Sequence, residues 1–124
     1  MEYIRVLLVD DNVIIRKSFI HLLSKIAHVN VVGECSDGVE VIPFIKHHQV
    51  DVIFMDINMK HMDGYEATKR VKQCYPGVKV IGFSSQDYMT TIDKMIASGA
   101  DGFISKYNAE KSLIIAELDR VMNL

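Results

Sequence analysis

The chain has 124 residues, and its 14 Lys and Arg residues nearly balance its 16 Asp and Glu residues, which gives a formal net charge of −2. The length is that of one domain, and a composition of 49% hydrophobic and 24% charged residues excludes a disordered chain. The balanced charge gives no indication of direct nucleic-acid or membrane-surface binding, and no apolar stretch is long enough to cross a membrane.

Short runs rich in β-branched residues alternate with stretches of helical periodicity along the whole chain. The runs predict five strands, at residues 3–9, 29–35, 50–55, 79–83 and 102–105. Apolar residues at helical spacing predict a helix after each strand, in chain order Ile15, Phe19, Leu22 and Ile26; Val41 and Ile45; Ala67, Val71 and Cys74; Met89, Ile92 and Ile96; Ile114, Leu118 and Val121. The pattern therefore predicts five βα units.

The helix boundaries agree with this organisation. Asp63 and Glu66 have the spacing of a capping box at the start of the third helix, Pro76-Gly77 ends that helix, and Gly99 ends the fourth. Strands that are apolar nearly throughout and are joined through helices indicate a parallel sheet covered on both faces, a three-layer α/β sandwich. Because no linker or repeat interrupts the pattern, residues 1–124 are expected to form a single domain.

Chemically reactive side chains follow the strands where they end. Asp10 and Asp11 follow the first strand, Asp56 the third, Ser84 the fourth and Lys106 the fifth. Ligands of an open parallel sheet bind at this edge, and a strand order of 2-1-3-4-5 would place the three carboxylates together. Three such charges repel one another unless a cation lies between them, and oxygen ligands alone suit Mg²⁺ or Mn²⁺. We therefore expect a metal-dependent phosphate site. Its nucleophile is expected to be Asp56, which lies between the other two acids and Ser84 in the strand order.

The remaining histidine, cysteine and methionine residues carry simpler expectations. Cys35 and Cys74 lack the CxxC spacing, which excludes a disulfide scaffold and indicates a reduced, cytoplasmic setting. Both cysteines are expected to be small buried hydrophobes, and the methionines are expected to fill the core. The histidines show no metal-ligand spacing and are expected on the surface: His21, His28, His47, His48 and His61.

An ordered set of motifs resembles the receiver domains of bacterial two-component response regulators over essentially the whole chain. The motifs are Val9-Asp10-Asp11-Asn12, Met55-Asp56-Ile57-Asn58-Met59, Met62-Asp63-Gly64, Ser84-Ser85 and Gly99-Ala100-Asp101-Gly102-Phe103-Ile104-Ser105-Lys106. The resemblance implies a flavodoxin-like fold and a phosphorylation switch. It further implies that the domain catalyses only its own phosphorylation and dephosphorylation and is not otherwise an enzyme.

The resemblance also implies roles for single residues. Asp56 resembles the phosphoacceptor, which takes a phosphoryl group from a histidine kinase or a phosphotransfer protein. Asp11, Asp56 and the backbone carbonyl of Asn58 resemble the direct Mg²⁺ ligands, with Asp10 acting mainly through water. Lys106 resembles the lysine that pairs with the acids and then with the phosphoryl oxygen. Asn58 and Gln86 stand at positions that tune how readily water reaches the acyl phosphate.

The implied signal output depends on two switch residues. A phosphoryl group on Asp56 would draw Ser84 inward, and Phe103, at the position of the switch aromatic, would rotate from exposed to buried. The surface formed by the fourth helix, fifth strand and fifth helix would then repack and control a partner or an output domain. A phosphorylation-linked homodimer is a further expectation.

The sequence departs from the family pattern at Lys60 and Tyr107, where many relatives carry proline. Because a cis peptide without proline costs about 3 to 4 kcal/mol, the Lys106-Tyr107 bond is expected to be trans. A lysine followed by a non-proline residue resembles receivers that precede a helix-turn-helix DNA-binding domain. The chain is therefore either a single-domain regulator or the receiver of a longer transcription factor.

Two alternatives share parts of this chemistry. A phosphohydrolase of the haloacid dehalogenase type would use Asp56 and Mg²⁺, but it needs a second acid two residues later, where Asn58 stands. A flavin carrier would need a loop rich in Ser, Thr and Gly after the first strand, where the acids would repel a phosphate.

Overall fold

The fold is built on five parallel strands, and the computed structural model describes residues 3–124. The strands are β1 (Ile4–Val9), β2 (Val29–Cys35), β3 (Val52–Met55), β4 (Lys79–Ser84) and β5 (Gly102–Ser105). Their order in the sheet is β2-β1-β3-β4-β5, as the sequence predicted. The helices are α1 (Val13–Leu23), α2 (Val41–His47), α3 (Gly64–Cys74), α4 (Met89–Ala97) and α5 (Lys111–Met122), and two 3-10 turns are η1 (Gly38–Glu40) and η2 (Lys106–Asn108). This is the flavodoxin-like α/β architecture.

Both faces of the sheet are buried, because neighbouring residues of each strand point to opposite sides. Val6 and Leu8 of β1 pack with α1 and α5, whereas Leu7 and Val9 pack with α2, α3 and α4. All four residues of β3, the central strand, are buried. The reading of a sheet covered by helices on both faces is therefore confirmed.

The predicted start of β3 at residue 50 is wrong, since the strand begins at Val52. Asp51 turns its carboxylate back onto β1, where Oδ2 accepts hydrogen bonds from the Arg5 backbone N–H at 2.8 Å and from Arg5 Nε at 3.0 Å. The Asp51 side chain is therefore bonded to β1 one residue before the regular strand pairing of β3 begins. Two other strands differ from the prediction by one residue: β1 begins at Ile4, and β4 extends to Ser84.

The predicted buried faces of α1, α3 and α5 are largely correct, but three apolar positions are exposed. Met89 and Ile96 of α4 are 77% and 47% exposed, while Met95 is the residue of that helix in the core. The helix carries apolar residues on both sides, so periodicity alone could not identify the buried one. Cys74 is exposed because it is the last residue of α3 and lines an open groove between α2 and α3.

The predicted ends of α3 and α4 are confirmed, whereas α1 ends at Leu23 and leaves Ile26, which was predicted on its buried face, beyond the helix. Asp63 caps α3 by accepting a hydrogen bond from the Glu66 N–H at 2.9 Å, although the Glu66 carboxylate pairs with Arg70 and does not complete the capping box. Gly99 follows α4 with a φ of 110°, a left-handed conformation that favours glycine.

Three further features of the described residues bear on the sequence predictions. Residues 3–124 contain no cis peptide bond, so the Lys106-Tyr107 bond is trans as expected. The histidines are exposed, apart from His28, which is half-exposed. None of the helices in this part of the chain is both long and apolar enough to cross a membrane.

Candidate functional site

Three carboxylates meet where β1 and β3 end. Val9 of β1 pairs with Met55 of β3, and this register places the next residues, Asp10 and Asp56, side by side. One carboxylate oxygen each from Asp10, Asp11 and Asp56 lies within 4.8 Å of the others. Asp10 and Asp56 are buried, whereas Asp11 is exposed. The structure thus brings together the three acids that the sequence placed at this edge.

Asp10 is fully buried with one oxygen engaged and one free of hydrogen bonds. Its Oδ1 accepts a hydrogen bond from the Asn12 N–H at 2.8 Å, and Asn12 in turn caps α1. Its Oδ2 has no hydrogen-bond partner among the described residues, although Lys106 Nζ lies 2.7 Å away as an ion pair. This oxygen therefore already contacts one cation, and the pocket at the ends of β1 and β3 is one that favours positive charge.

Asp56 is a buried acid with a strongly perturbed pKa. Its Oδ1 accepts hydrogen bonds from the Ile57 N–H at 2.8 Å and from Lys106 Nζ at 3.2 Å. Burial raises the pKa of Asp56 to about 6, the Lys106 charge acts in the opposite direction, and the Asp10 charge acts in the same direction as burial. The carboxyl is therefore ionised at neutral pH, but at a cost to the folded state.

Lys106 connects the site to the core. It begins η2 directly after β5, and its ammonium group lies 5.2 Å from the centroid of the Phe83 ring, a cation–π distance. The Phe83 ring stacks on Phe19 of α1 at 4.2 Å, and Phe19 meets Phe54 of β3 edge-on at 5.0 Å. The Lys106 side chain thus packs against the Phe83 ring and extends across the end of β4 to Asp10 and Asp56.

The predicted switch residues, Ser84 and Phe103, lie on β4 and on the neighbouring strand β5. Ser84 is buried at the end of β4, and its hydroxyl accepts a hydrogen bond from the Gln86 N–H at 3.0 Å. Gln86 itself is exposed. Phe103 is half-buried in β5, and its ring lies where a Cβ on Gly82 would approach it to 2.7 Å. The ring in this structure is therefore already packed against β4 and not fully exposed, and its rotation stays a prediction.

Two functional candidates escaped the sequence reasoning. Asp37 is buried, and its carboxylate accepts hydrogen bonds from the backbone of the loop after β3. Arg16 donates a hydrogen bond from Nη1 to the Asp10 carbonyl at 2.5 Å and pairs with Glu34 at 2.8 Å. Asp37-Gly38 reads locally as a turn, and Arg16 reads as an exposed helix residue, so only the tertiary contacts reveal them.

The donor set fits a hard divalent cation. Three carboxylates within 4.8 Å supply oxygen ligands only, and the buried Oδ2 of Asp10 contacts the Lys106 ammonium at 2.7 Å. Mg²⁺ prefers such oxygens and keeps several waters, which the exposed position of Asp11 allows. Asn58, whose backbone carbonyl was expected as a ligand, lies exposed in the loop two residues after Asp56.

The comparisons with known proteins identify the family. The model of the response regulator receiver domain matches residues 6–117. The chain belongs to the response regulator receiver domain family. The receiver domain of the putative response regulator NarL from Mycobacterium tuberculosis matches 100% of both chains, with a TM-score of 0.88 and 31% identity. The resemblance stated from the motifs is confirmed.

Two relatives of the receiver domain give the same assignment. Transcriptional regulatory protein DegU of Brevibacillus brevis is 32% identical over 113 residues, which are 91% of this chain and 48% of DegU. Response regulator UvrY of Escherichia coli is 33% identical over 113 residues, which are 91% of this chain and 52% of UvrY. The chain thus spans about half the length of these relatives.

Membership in the receiver family has general consequences. Receiver domains bind Mg²⁺ at an acidic pocket, and they are not a classical enzyme family. The assignment favours the receiver function over the phosphohydrolase and flavin-carrier alternatives.

Proposed function

We propose that this receiver domain is a phosphoacceptor switch in which Asp56 takes a phosphoryl group from a histidine kinase or a phosphotransfer protein. The observation that carries the proposal is the buried Asp56 carboxylate, which lies between two further acids and Lys106 at the ends of β1 and β3. The domain catalyses its own phosphorylation and dephosphorylation only.

In the transfer step, an oxygen of the ionised Asp56 carboxylate attacks phosphorus. The bond between phosphorus and the donor histidine nitrogen breaks, the nitrogen keeps the electron pair, and an acyl phosphate forms. Lys106, already 3.2 Å from Asp56 Oδ1, stabilises the negative charge that collects on the phosphoryl oxygens. Ser84, which now accepts a hydrogen bond from the Gln86 N–H, would donate its hydroxyl to a phosphoryl oxygen.

The acidic cluster is proposed as the Mg²⁺ or Mn²⁺ site. Asp11, Asp56 and the Asn58 carbonyl would hold the ion directly, and Asp10 would hold it through water. When bound, the ion offsets the charge of the acids and of the transferring phosphoryl group. Asn58 and Gln86 are proposed to control how readily water reaches the acyl phosphate, and their exposure to solvent supports this proposal.

The output is proposed to pass through the α4-β5-α5 surface. Ser84 ends β4, and Phe103 packs against the same strand at Gly82, so an inward movement of Ser84 reaches the Phe103 ring through β4. Met89 and Ile96 expose apolar side chains on α4, which suits a surface that exchanges partners. A partner responds to the extent that it binds the two states with different affinity.

The partners follow from the relatives. DegU is named a transcriptional regulatory protein and is about twice as long as this chain, so we propose that the receiver, residues 1–124, controls an output domain or a separate target protein in the cytoplasm. The receiver would not bind nucleic acid directly, since its net charge is −2. Phosphorylation would also favour a homodimer.

The test is incubation with Mg²⁺ and acetyl phosphate, followed by measurement of the intact mass. We expect one added phosphoryl group that is labile to base, absent without the metal and absent in Asp56→Asn. Turnover of small phosphomonoesters by the parent, lost in Asp56→Asn, would favour the phosphohydrolase instead.

Lys106→Ala separates binding from signalling. The variant keeps the three acids and is expected to bind Mg²⁺, but it lacks the cation that responds to the phosphoryl group. We therefore expect beryllofluoride, a phosphoryl mimic, to shift the amide resonances of α4 and β5 in the parent and not in the variant. Equal shifts in both proteins would contradict the role assigned to Lys106.

A further inference from the structure

Asp37 is a buried acid outside the cluster, and its carboxylate is used entirely by backbone groups. Its Oδ1 accepts hydrogen bonds from the Val39 N–H at 3.0 Å and the Met62 N–H at 3.1 Å, and its Oδ2 accepts one from the His61 N–H at 2.8 Å. Burial alone would raise its pKa, but the three backbone N–H groups outweigh burial and leave the pKa of Asp37 below its usual value. Asp37 therefore stays ionised in the folded protein.

Two of these bonds hold the loop that carries Asn58, residues 57–63 between β3 and α3. At its start, the Ile57 N–H donates to Asp56 Oδ1, and the Gly64 N–H closes the loop by donating to the Ile57 carbonyl at 2.7 Å. Among the described residues, Asp37 and Asp56 are the side chains from outside the loop that accept hydrogen bonds from its backbone. Asn58 lies between these two points of attachment.

The surroundings leave the loop little room to move. A Cβ on Gly38, the residue after Asp37, would come within 2.5 Å of the Met62 carbonyl oxygen. A Cβ on Gly64 would come within 2.0 Å of the Asp56 carbonyl oxygen. The backbones of η1 and of the first residue of α3 therefore lie in close contact with the loop and with the end of β3. Because the loop has little free space at these two points, the Asp37 hydrogen bonds hold it in one path.

We infer that Asp37 is a positioning residue that fixes the loop after β3 so that the Asn58 carbonyl faces the acidic cluster before the metal arrives. This inference rests on the proposed function, since it assigns Asn58 as a ligand of Mg²⁺. A ligand that is already ordered costs less conformational entropy on binding, so the loss of Asp37 weakens metal affinity without touching a metal ligand.

The test compares Mg²⁺ affinity among variants, measured by titration of backbone amide resonances. Asp37→Ala is expected to weaken the affinity about tenfold, in the range known for residues that orient metal ligands. Asp37→Asn is expected to weaken it less, because one acceptor oxygen can still serve the Val39 and Met62 N–H groups. At saturating Mg²⁺, phosphorylation by acetyl phosphate is expected to proceed at the parental rate in both variants.

Asp51→Ala is the matched control. Asp51 also accepts a backbone N–H and pairs with a neighbouring strand, but it lies at the opposite end of β3 from Asp56. The control is expected to lower stability and leave Mg²⁺ affinity unchanged.

The outcomes separate the two proposals. Unchanged affinity in Asp37→Ala, or an equal loss in Asp51→Ala, would overturn the inference about Asp37 and leave the proposed function intact. Failure of the parent to bind Mg²⁺ or to accept a phosphoryl group would overturn the proposed function itself. If Asp37→Ala does not fold, Asp37→Asn decides, and parental affinity in that variant with a released His61 amide would count against the inference.

Discussion

Asp56→Asn is expected to stabilise the metal-free domain at neutral pH, although it removes the proposed phosphoacceptor. The ionised carboxylate is buried beside Asp10, and burial raises the pKa of Asp56 from 3.8 to about 6. A group whose pKa is higher in the folded state contributes full stability only below its unfolded pKa, and this contribution is lost as the pH rises through about 6. Replacing the carboxylate by a neutral amide removes this loss.

The size of the effect follows from the same pKa values. Because one pKa unit corresponds to about 1.4 kcal/mol, the ionised Asp56 destabilises the folded state at pH 7 by up to about 3 kcal/mol. The pKa of about 6 already includes the attraction of Lys106, but the buried amide NH₂ needs a hydrogen-bond acceptor of its own, so we expect a net gain of about 1 to 3 kcal/mol in the free energy of unfolding. With a urea dependence of about 1.5 kcal/mol per molar, the midpoint rises by about 1 to 2 M.

The assay is urea denaturation of parent and variant in EDTA at pH 7.5 and at pH 4. The stabilisation is expected at pH 7.5 and should largely disappear at pH 4, where Asp56 is protonated in the folded protein. A variant that is no more stable than the parent at pH 7.5 would refute the electrostatic reasoning. Mg²⁺ is expected to reduce the difference, because it stabilises the parent more than the variant.

The other predictions concern positions outside the acidic cluster. Asp51→Asn is expected to destabilise the protein at pH 7, and the difference should shrink as the pH falls, because burial is outweighed by the Arg5 contacts that lower the pKa of Asp51. Gly99→Ala should cost about 1 to 3 kcal/mol in a urea melt, since φ is 110°, whereas Gly77→Ala, with open space at its Cβ, should be nearly neutral. In the folded protein a thiol reagent should modify the exposed cysteine, at position 74, and spare the buried one, at position 35, whose pKa burial raises to about 12.

The sequence predicted the fold and the gathering of the acids because both follow from short-range patterns. The strands of the sheet are buried apolar runs, and the acids come directly after two of them, so a parallel arrangement suffices to bring Asp10 and Asp56 to one edge. The only long-range information required was that β1 and β3 are neighbours in the sheet, as they are in the order β2-β1-β3-β4-β5.

What the sequence could not predict depends on contacts between distant residues. Asp37 reads as a turn residue whether or not its carboxylate binds a loop more than twenty residues away, and Asp51 reads as part of a strand until its carboxylate meets Arg5. On α4, apolar residues spread over a wide sector of the helix, and only the packing of Met95 against the sheet selects the buried part of it. Local propensity and periodicity contain none of this information.

The position of the Lys106 ammonium depends on aromatic residues of the core. Phe19 supports Phe83 from the first helix, and Phe83 supports the lysine ammonium at the reactive edge. A substitution at Phe19, which does not itself contact the acids, would therefore shift the Phe83 ring and with it the Lys106 ammonium, and we expect it to change the rate of the proposed phosphorylation. The effect of core mutations in this domain should thus be measured on phosphorylation rate as well as on melting temperature. A variant that still folds can hold the Lys106 ammonium in a different position.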